Sequence, residues 1–192
     1  MRQEEVLEIF KETRAILEGH FLLSSGLHSP QYLQCALILQ YPRIAERLCS
    51  EIASKFRNKK PNVVIAPAVG GIIVSYEVAR ALGAKSLFTE RVNGKMSLRR
   101  GFTLNKTDKV LVCEDVITTG LSTKEVINVV KAHGASLIGV GSIVYRAKEK
   151  IDFGAECKSL IKIDIPTFKP AACPLCRDKI PLIKPGSREI IS

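Results

Sequence analysis

The sequence predicts an α/β fold in which helices cover both faces of a doubly wound parallel sheet. Short apolar runs alternate along the chain with stretches of helical periodicity, which is the pattern of repeated βαβ units. Two of the apolar runs, 63–66 and 109–113, are each followed by a glycine-containing turn and the start of a helix. Because ligands of such sheets bind at the carboxyl ends of the strands, these turns are the first candidates for a functional site.

The first half of the chain supplies a helix, a hairpin and the first βαβ unit. Residues 3–18 carry apolar side chains at helical spacing and predict a helix that ends near Gly19. Residues 20–34 contain a Ser-Gly turn and predict two short strands. The elements expected next are a helix from Arg43 to Phe56, a buried strand at 63–66, a helix from Ile72 to Leu82 and a strand from Ser86 to Glu90.

The second half repeats the alternation and then loses it. The polar segment 91–105 predicts a flexible hairpin or loop. The elements expected after it are a strand at 109–113, a helix from Ser122 that ends at Gly134, and a core strand from Ser136 to Tyr145. After Lys150 the pattern fades into a tail with proline and cysteine. The length of 192 residues predicts a single domain, with a core at about 41–154 and a small hood formed by about 1–40 and 155–192.

Composition narrows the range of partners. The formal net charge of +10 suggests a polyanionic ligand, but the basic residues are spread along the chain, and aromatic residues make up only 6% with no tryptophan. Stacking platforms for bases are therefore scarce, and small anionic substrates are expected instead of nucleic acid. The apolar runs are too short to cross a membrane, and the charged N-terminus does not resemble a signal peptide. We expect a cytoplasmic protein whose six cysteines are reduced.

The most informative segment is an acidic pair followed by a hydroxyl- and glycine-rich turn. Glu114 and Asp115 follow the run 109–113, and the turn leads into the helix that begins near Ser122. Backbone N–H groups at a helix N-terminus bind phosphate well, whereas adjacent carboxylates repel it. The combination suits a ligand that also offers sugar hydroxyls or a bound cation, as a phosphorylated ribose does. The alternative is an ordinary βα turn in which Glu114 complements the helix dipole.

This segment resembles the phosphoribosyl-pyrophosphate (PRPP) motif of type I phosphoribosyltransferases. The resemblance implies the sheet of that family, an acidic pair that contacts the ribose 2′- and 3′-hydroxyls, and a turn that holds the 5′-phosphate. The residues to which it assigns PRPP binding here are Glu114, Asp115, Val116, Ile117, Thr118, Thr119, Gly120, Leu121 and Ser122.

A second turn, one βαβ unit earlier, has the same arrangement of a buried strand, glycines and the start of a helix. In the segment 67–71, Gly70 and Gly71 let the backbone approach a ligand between a buried strand and a helix. A plain tight turn is the alternative. The family resemblance implies that Gly70 and Gly71 bind the pyrophosphate of PRPP.

The segment 91–101 carries four positive charges and no negative charge, with little apolar content to order it. It resembles the catalytic loop of orotate phosphoribosyltransferases, which closes over PRPP from the neighbouring subunit. Arg91 and Lys95 match basic positions of that loop, so Arg91, Lys95 and Asp115 are the implied catalytic residues. The chain has Val92 and Ser97 where proteobacterial members have a lysine and a histidine. Arg99 or Arg100 is the candidate replacement, and a solvated charged hairpin is the alternative.

Two further features resemble the orotate enzymes. The segment 21–32 contains the Ser-Gly-x-x-Ser-Pro-x-Tyr core of their hood, and Arg146 follows a core strand where the family places an arginine against orotate. A guanidinium grips a carboxylate with two hydrogen bonds. The resemblance therefore implies that Thr118 and Arg146 contact orotate.

The tail resembles that of some bacterial orotate enzymes, whereas the hood departs from their pattern at one position. The stretches 173–177 and 185–188 are similar to a tail of some bacterial members. The chain has Ser24 where many members have a lysine, and His28 or a backbone N–H is the candidate replacement. His28 as a plain core or turn residue is the alternative.

The resemblance implies an orotate phosphoribosyltransferase, which makes orotidine 5′-phosphate from orotate and PRPP in UMP synthesis. It also implies a homodimer with shared active sites, and Mg²⁺ held mainly through PRPP and water without dedicated protein ligands. A purine phosphoribosyltransferase is one alternative. Another is a PRPP-sensing regulator that binds nucleic acid, although the first sixty or so residues lack a clear helix-turn-helix.

The cysteines offer one ambiguous spacing. Cys173 and Cys176 are separated as in metal and redox sites. A structural zinc needs four ligands, and only Cys157 lies nearby in the sequence. We therefore expect buried structural thiols at these two positions, unless two tails meet across a dimer. The remaining cysteines, Cys35, Cys49 and Cys113, are expected in the core.

Overall fold

The computed structural model describes residues 1–23 and 25–185, in two sheets with helices around them. The helices are α1 (Gln3–Glu12), α2 (Ala36–Leu39), α3 (Pro42–Ser54), α4 (Gly71–Leu82), α5 (Leu121–Ala132) and α6 (Pro174–Arg177). The strands are β1 (Ile16–Leu22), β2 (His28–Leu33), β3 (Val63–Pro67), β4 (Lys85–Val92), β5 (Lys95–Leu98), β6 (Lys109–Ile117), β7 (Ser136–Tyr145), β8 (Cys157–Lys162) and β9 (Leu182–Ile183). No helix among these residues has the length and apolar character needed to span a bilayer.

The larger sheet has six strands in the order β5-β4-β3-β6-β7-β8. All neighbouring pairs are parallel except β4 and β5, which form an antiparallel hairpin at one edge. The central strand β3 is buried along its whole length, as expected for a strand covered on both faces. The predicted doubly wound α/β class is confirmed.

Two apolar cores lie on opposite faces of this sheet. One packs α1, α3 and α4 against the sheet, and the other packs α5 with the loop around Phe153. Helix α3 approaches β7 closely because Gly139 leaves room for the ring of Phe56. A Cβ built on Gly139 would lie 2.5 Å from Phe56 Cε1. Glycine is therefore required there by packing, since the Phe56 ring is itself fully buried.

The hood is a separate three-stranded sheet in the order β2-β1-β9. Strands β1 and β2 are antiparallel, and the short β9 from the tail runs parallel to β1. His28 and Phe168 add a second link, because each donates its backbone N–H to the carbonyl of the other at 2.9 Å. The N-terminal segment and the tail thus form one unit.

The first helix is shorter than its periodicity predicts. It ends at Glu12, where the chain turns through Arg14 at a φ of +52°, and β1 begins at Ile16. Ile16 and Leu17 face Leu33 and Tyr32 across the hairpin. Their apolar side chains fit a helical period by coincidence, and pairing with β2 decides their conformation.

Strand β8 was not apparent in the sequence. Residues 155–192 were expected in the hood, but β8 pairs with β7 as the edge strand of the larger sheet. The polar residues Lys158 and Lys162 interrupt the apolar pattern by which a buried strand is recognised. An edge strand tolerates them because the rest of the sheet covers it on one side only. Of the described tail, β9 is the part that joins the hood sheet.

Candidate active site

The two candidate turns meet at the carboxyl edge of the larger sheet. Strands β3 and β6 are neighbours, so the loop after Pro67 and the loop after Ile117 open at the same edge. A Cβ built on Gly70 would lie 2.5 Å from Asp115 Oδ2, and one on Gly71 would lie 2.7 Å from the Cβ of Ala66. Glycine at these two positions lets the first loop reach the acidic pair.

The acidic pair lies near the end of β6, where Glu114 is buried and Asp115 is partly buried. Glu114 is 8% exposed, and its Oε2 accepts a hydrogen bond from Thr123 Oγ1 at 3.3 Å. Asp115 Oδ1 accepts the N–H of Val116 at 2.9 Å. Burial raises the pKa of Glu114 well above its ordinary range, and the negative charge of Asp115 adds to the effect. Burial also raises the pKa of Asp115, although the backbone hydrogen bond from Val116 lowers it and offsets part of this shift. Hydrogen-bond donors or positive charge from a ligand would relieve both carboxylates.

The turn after β6 exposes hydroxyls and helix amides. Thr118 and Thr119 are exposed, and Thr119 Oγ1 accepts the N–H of Leu121 at 3.4 Å. Gly120 starts α5 at a φ of +73°, and a Cβ there would lie 2.9 Å from Ile151 Cδ1. Both the dihedral and the packing require glycine. The result is an open helix N-terminus beside two carboxylates, which suits a ligand that carries both phosphate and hydroxyls.

Arg146 joins the hood to this edge of the sheet. Its backbone N–H donates to Ile117 O at 2.8 Å, and its Nη2 donates to the Oγ of buried Ser29 at 2.9 Å. Burial lowers the pKa of Arg146, whereas the negative charges of Tyr32 and Asp164 raise it and offset part of this shift. Burial and the charge of Asp115 raise the pKa of Tyr32, while Arg146 lowers it. Tyr32 is therefore within electrostatic reach of both Asp115 and Arg146.

The hood pattern includes Ser29 and Tyr32, although the family resemblance did not assign either residue to the site. Their spacing around Pro30 is the sequence signal for them. Residues three apart in a strand face opposite sides, so their spacing alone does not place both Ser29 and Tyr32 near Arg146.

The basic segment forms the hairpin β4–β5 and is ordered by its own chain. Arg91 donates from Nη1 to Glu125 Oε1 at 2.8 Å, and its Nη2 contacts Glu125 Oε2. Arg100 binds Glu90 through two hydrogen bonds of 2.8 Å each. The expectation that this segment has little to pack on is wrong, because Met96 and Leu98 are partly buried against the core beneath α5.

Lys95 is exposed at the start of β5, where it pairs with Val92. In the described part of the chain, no hydrogen bond or ion pair joins Lys95 or Arg91 to the acidic pair. The structure therefore brings together Gly70, Gly71, the turn after β6 and Arg146, but leaves the basic hairpin at the edge of the sheet.

Two predicted features of the hood and tail lie outside the described residues. They are Ser24, which replaces a family lysine, and the part of the tail pattern at 186–188. His28, the candidate replacement for that lysine, is 4% exposed and directs its Nδ1 to His20 Nε2 at 2.8 Å.

Comparison with known proteins identifies the family. The model of the phosphoribosyl transferase domain matches residues 38–176. The orotate phosphoribosyltransferase of Desulforamulus reducens is 53% identical over 190 residues, which cover 99% of this chain and 100% of that protein. The chain belongs to the orotate phosphoribosyltransferase family. The enzyme of that name from Thermotoga maritima is 49% identical over 183 residues, which cover 95% of this chain and 98% of its own.

Solved structures support the fold of this family. The crystal structure of orotate phosphoribosyltransferase from Aeropyrum pernix superposes with a TM-score of 0.69 at 23% identity, over 82% of this chain and 93% of its own. At that identity the likeness concerns the fold alone. The domain model begins at residue 38 and omits β1 and β2, whereas the full-length relatives include the hood. The family predicted from the motifs is confirmed.

The buried acid pair predicts an unusual pH dependence of stability. Because the folded-state pKa of Glu114 lies above its ordinary value of 4.5, its stabilising contribution is full below that pH and is lost as the pH rises through the folded-state pKa. Replacing Glu114 by Gln keeps an acceptor for Thr123 and removes this loss. We expect the unfolding free energy of Glu114→Gln, relative to the wild type, to increase from pH 4 toward neutral pH.

Urea denaturation at a series of pH values measures this difference. Glu149→Gln is the matched control, because it removes one carboxylate from an exposed position. A Glu114→Gln variant that loses stability relative to the wild type as the pH rises would contradict the raised pKa.

Proposed function

We propose that this chain transfers the ribose 5-phosphate of PRPP to orotate and releases orotidine 5′-phosphate and pyrophosphate, a step of UMP synthesis. The observation that carries the proposal is the contact between Gly70 and Asp115 at the carboxyl edge of the sheet. It joins a glycine loop suited to a diphosphate to an acidic pair suited to sugar hydroxyls. The names of the full-length relatives support orotate as the acceptor.

In this proposal each part of PRPP has its own partner. The ribose hydroxyls donate to Glu114 and Asp115, which relieves one buried and one partly buried carboxylate. The 5′-phosphate accepts the N–H groups of the turn Val116–Ser122, where α5 begins. The pyrophosphate lies against the backbone of Gly70 and Gly71.

The proposed reaction needs no protein nucleophile. Pyrophosphate departs and leaves an oxocarbenium-like ribose, which the ring nitrogen of anionic orotate attacks. The chain's task is to fix the sugar and to place positive charge from Arg91 and Lys95 near the leaving group. For Arg91 this requires release from Glu125, since both guanidinium nitrogens contact that carboxylate.

Mg²⁺ suits this site chemically. It prefers oxygen ligands and keeps several waters, and the carboxylates of the acidic pair are hard oxygen donors next to the proposed diphosphate position. PRPP and water would hold the ion, with Glu114 and Asp115 as the nearest protein oxygens. When bound, the ion adds positive charge against the leaving pyrophosphate.

Orotate recognition is proposed for the face between the hood and β7. Arg146 is partly buried beneath the hood and is oriented by Ser29, so its guanidinium is held in place before a ligand arrives. Thr118 is exposed on the adjacent turn. Arg146 would bind the carboxylate of orotate, and the hydroxyl of Thr118 would bind its ring. A purine has no carboxylate, so this pair of groups suits orotate better.

The setting of the reaction completes the proposal. Two copies would share their active sites, with the β4–β5 hairpin of one reaching the PRPP site of the other. The positive net charge would attract the anionic substrates, and no nucleic-acid partner is proposed. Six unpaired cysteines in the described structure fit the reducing cytoplasm.

The activity itself is tested by the loss of orotate absorbance when PRPP and Mg²⁺ are added to the purified chain. Asp115→Asn should abolish most turnover and weaken PRPP binding in calorimetry, because the neutral amide accepts sugar hydroxyls poorly. Adenine and guanine should not compete with orotate. PRPP binding without pyrophosphate release would instead indicate a sensor, and competition by purines a purine transferase.

Arg146→Gln should raise the KM for orotate by roughly ten- to a hundred-fold, because a charged hydrogen bond is worth about 1.5–3 kcal/mol. PRPP affinity measured alone should change little. Arg177→Gln, on the exposed surface of α6, is the matched control for loss of a guanidinium. An equal loss for both substrates would place Arg146 in the scaffold.

The shared site is tested by mixing two inactive variants, Lys95→Ala and Asp115→Ala, under conditions that let subunits exchange. If Lys95 acts on its partner's site, each mixed dimer holds one complete site and one that lacks both groups. Random exchange makes about half of the dimers mixed, so roughly a quarter of the wild-type sites should return. No recovery, with mixed dimers seen by native mass spectrometry, would confine the hairpin to its own subunit.

A further inference from the structure

Four potential metal ligands meet inside the hood, away from the proposed transfer site. They are His20 on β1, His28 on β2, Cys173 just before α6 and Cys176 within α6. One ligand atom from each lies within 4.8 Å of all the others. The sequence spacing of the cysteines permitted a metal, but only Cys157 lay nearby in the sequence as a further ligand. His28 is 148 residues from Cys176, and folding brings the two together.

The distances between these atoms fit a tetrahedral centre. Cys173 Sγ and Cys176 Sγ lie 3.6 Å and 3.7 Å from His20 Nε2, and Cys176 Sγ lies 3.3 Å from His28 Nδ1. Zinc bonds of about 2.3 Å to sulfur and 2.0–2.1 Å to nitrogen give sulfur–nitrogen edges of about 3.5 Å. The two ring nitrogens are 2.8 Å apart, so a small opening of the histidine pair would complete the geometry.

The protonation state of His20 is set for metal binding. Its Nδ1 lies 2.8 Å from the carbonyl of Ile180, which accepts hydrogen bonds only. Nδ1 must therefore carry the proton, and Nε2 presents its lone pair to the cluster. A backbone carbonyl behind the ring is the usual outer partner of a metal-binding histidine.

Hydrogen bonding alone accounts poorly for the cluster. The single lone pair of His20 Nε2 accepts one good hydrogen bond, yet His28 Nδ1 and two thiols surround it. A cation at the centre uses all four atoms at once. Three of the residues are nearly inaccessible, whereas Cys176 is exposed and offers a route of entry. Cys176 thus differs from the expected buried thiol.

We propose that His20, His28, Cys173 and Cys176 form a structural zinc site that fastens the C-terminal tail to the N-terminal hood. Two sulfur and two nitrogen ligands in a tetrahedron favour zinc over magnesium or calcium. Four protein ligands leave no open position, so the ion has a structural role and performs no chemistry on the substrate. Without it, the described hydrogen bonds between tail and hood, apart from those within the cluster, are those of the short β9, the His28–Phe168 bridge, and those from His20 to Ile180 and from Ser29 to Pro166.

The site also bears on the proposed transfer reaction. His28 precedes Ser29, whose hydroxyl accepts a hydrogen bond from Arg146 at 2.9 Å. A metal on His28 therefore fixes the start of β2 and, through Ser29, the guanidinium proposed to bind orotate. This consequence rests on the proposed function, whereas the metal site itself does not.

Metal analysis of the full chain tests the site. Protein expressed with zinc and then desalted should hold about one zinc ion per chain. Cys173→Ser, Cys176→Ser and His28→Gln should each lower the content to about a tenth or less. The controls Cys157→Ser and His133→Gln should keep it, since Cys157 lies on β8 and His133 bonds a carbonyl at the end of α5. Replacing zinc with Co²⁺ should give the visible bands of a tetrahedral cobalt thiolate.

Stability supplies a second measurement on the wild-type chain, which does not depend on whether the variants fold. Removal of zinc by a chelator should lower the melting temperature, and added zinc but not added Mg²⁺ should restore it. Wild-type protein that takes up no zinc and shows no cobalt thiolate bands would overturn the proposal. So would a Cys173–Cys176 disulfide that persists in the presence of zinc. A zinc-loaded chain without transferase activity would refute the proposed function and leave the metal site intact.

Discussion

The burial of Glu114, with Asp115 partly buried beside it at the end of β6, is the constraint on which the rest of the site depends. Ionised carboxylates are costly to bury, so burial raises the pKa of both groups, and the charge of Asp115 adds to the effect on Glu114. A core built for stability alone would replace them with apolar residues. The proposed ligand, with hydroxyl donors and nearby positive charge, would return what burial removed.

Several features follow from the need to admit that ligand. Gly70 must lack a side chain because Asp115 lies where its Cβ would be, and Gly120 must be glycine because Ile151 and Phe153 fill the space beside it. These glycines bring backbone amides to the carboxylates without bringing further side chains. In the proposed complex, the turn would present N–H donors to the phosphate on one side and acceptors to the sugar on the other.

The sequence predicted the parts of this molecule whose cause is local. Strands such as Val63–Pro67 and the glycine turns carry their signals within a few residues, and the family motif at Glu114–Ser122 is contiguous. The β8 edge strand, the early end of α1 and the Ser29–Arg146 hydrogen bond depend on partners far along the chain. Likewise, Cys173 and Cys176 suggested a metal, but His20 and His28 belong to strands whose pairing the spacing of cysteines does not encode.

The proposed recognition is divided between the larger sheet and the hood. The pairing of β3 with β6 brings the acidic pair and the turn after β6 to the loop of Gly70 and Gly71. The hood packs Leu33 and Ile16 against the core of the larger sheet, and it reaches Arg146 through the hydroxyl of Ser29. Its strand β9 contributes only two residues. The proposed metal cross-link between β1, β2 and the tail would add rigidity there, and it lies next to the residue that orients Arg146. The proposed base specificity and the proposed metal site thus meet at two consecutive residues, His28 and Ser29.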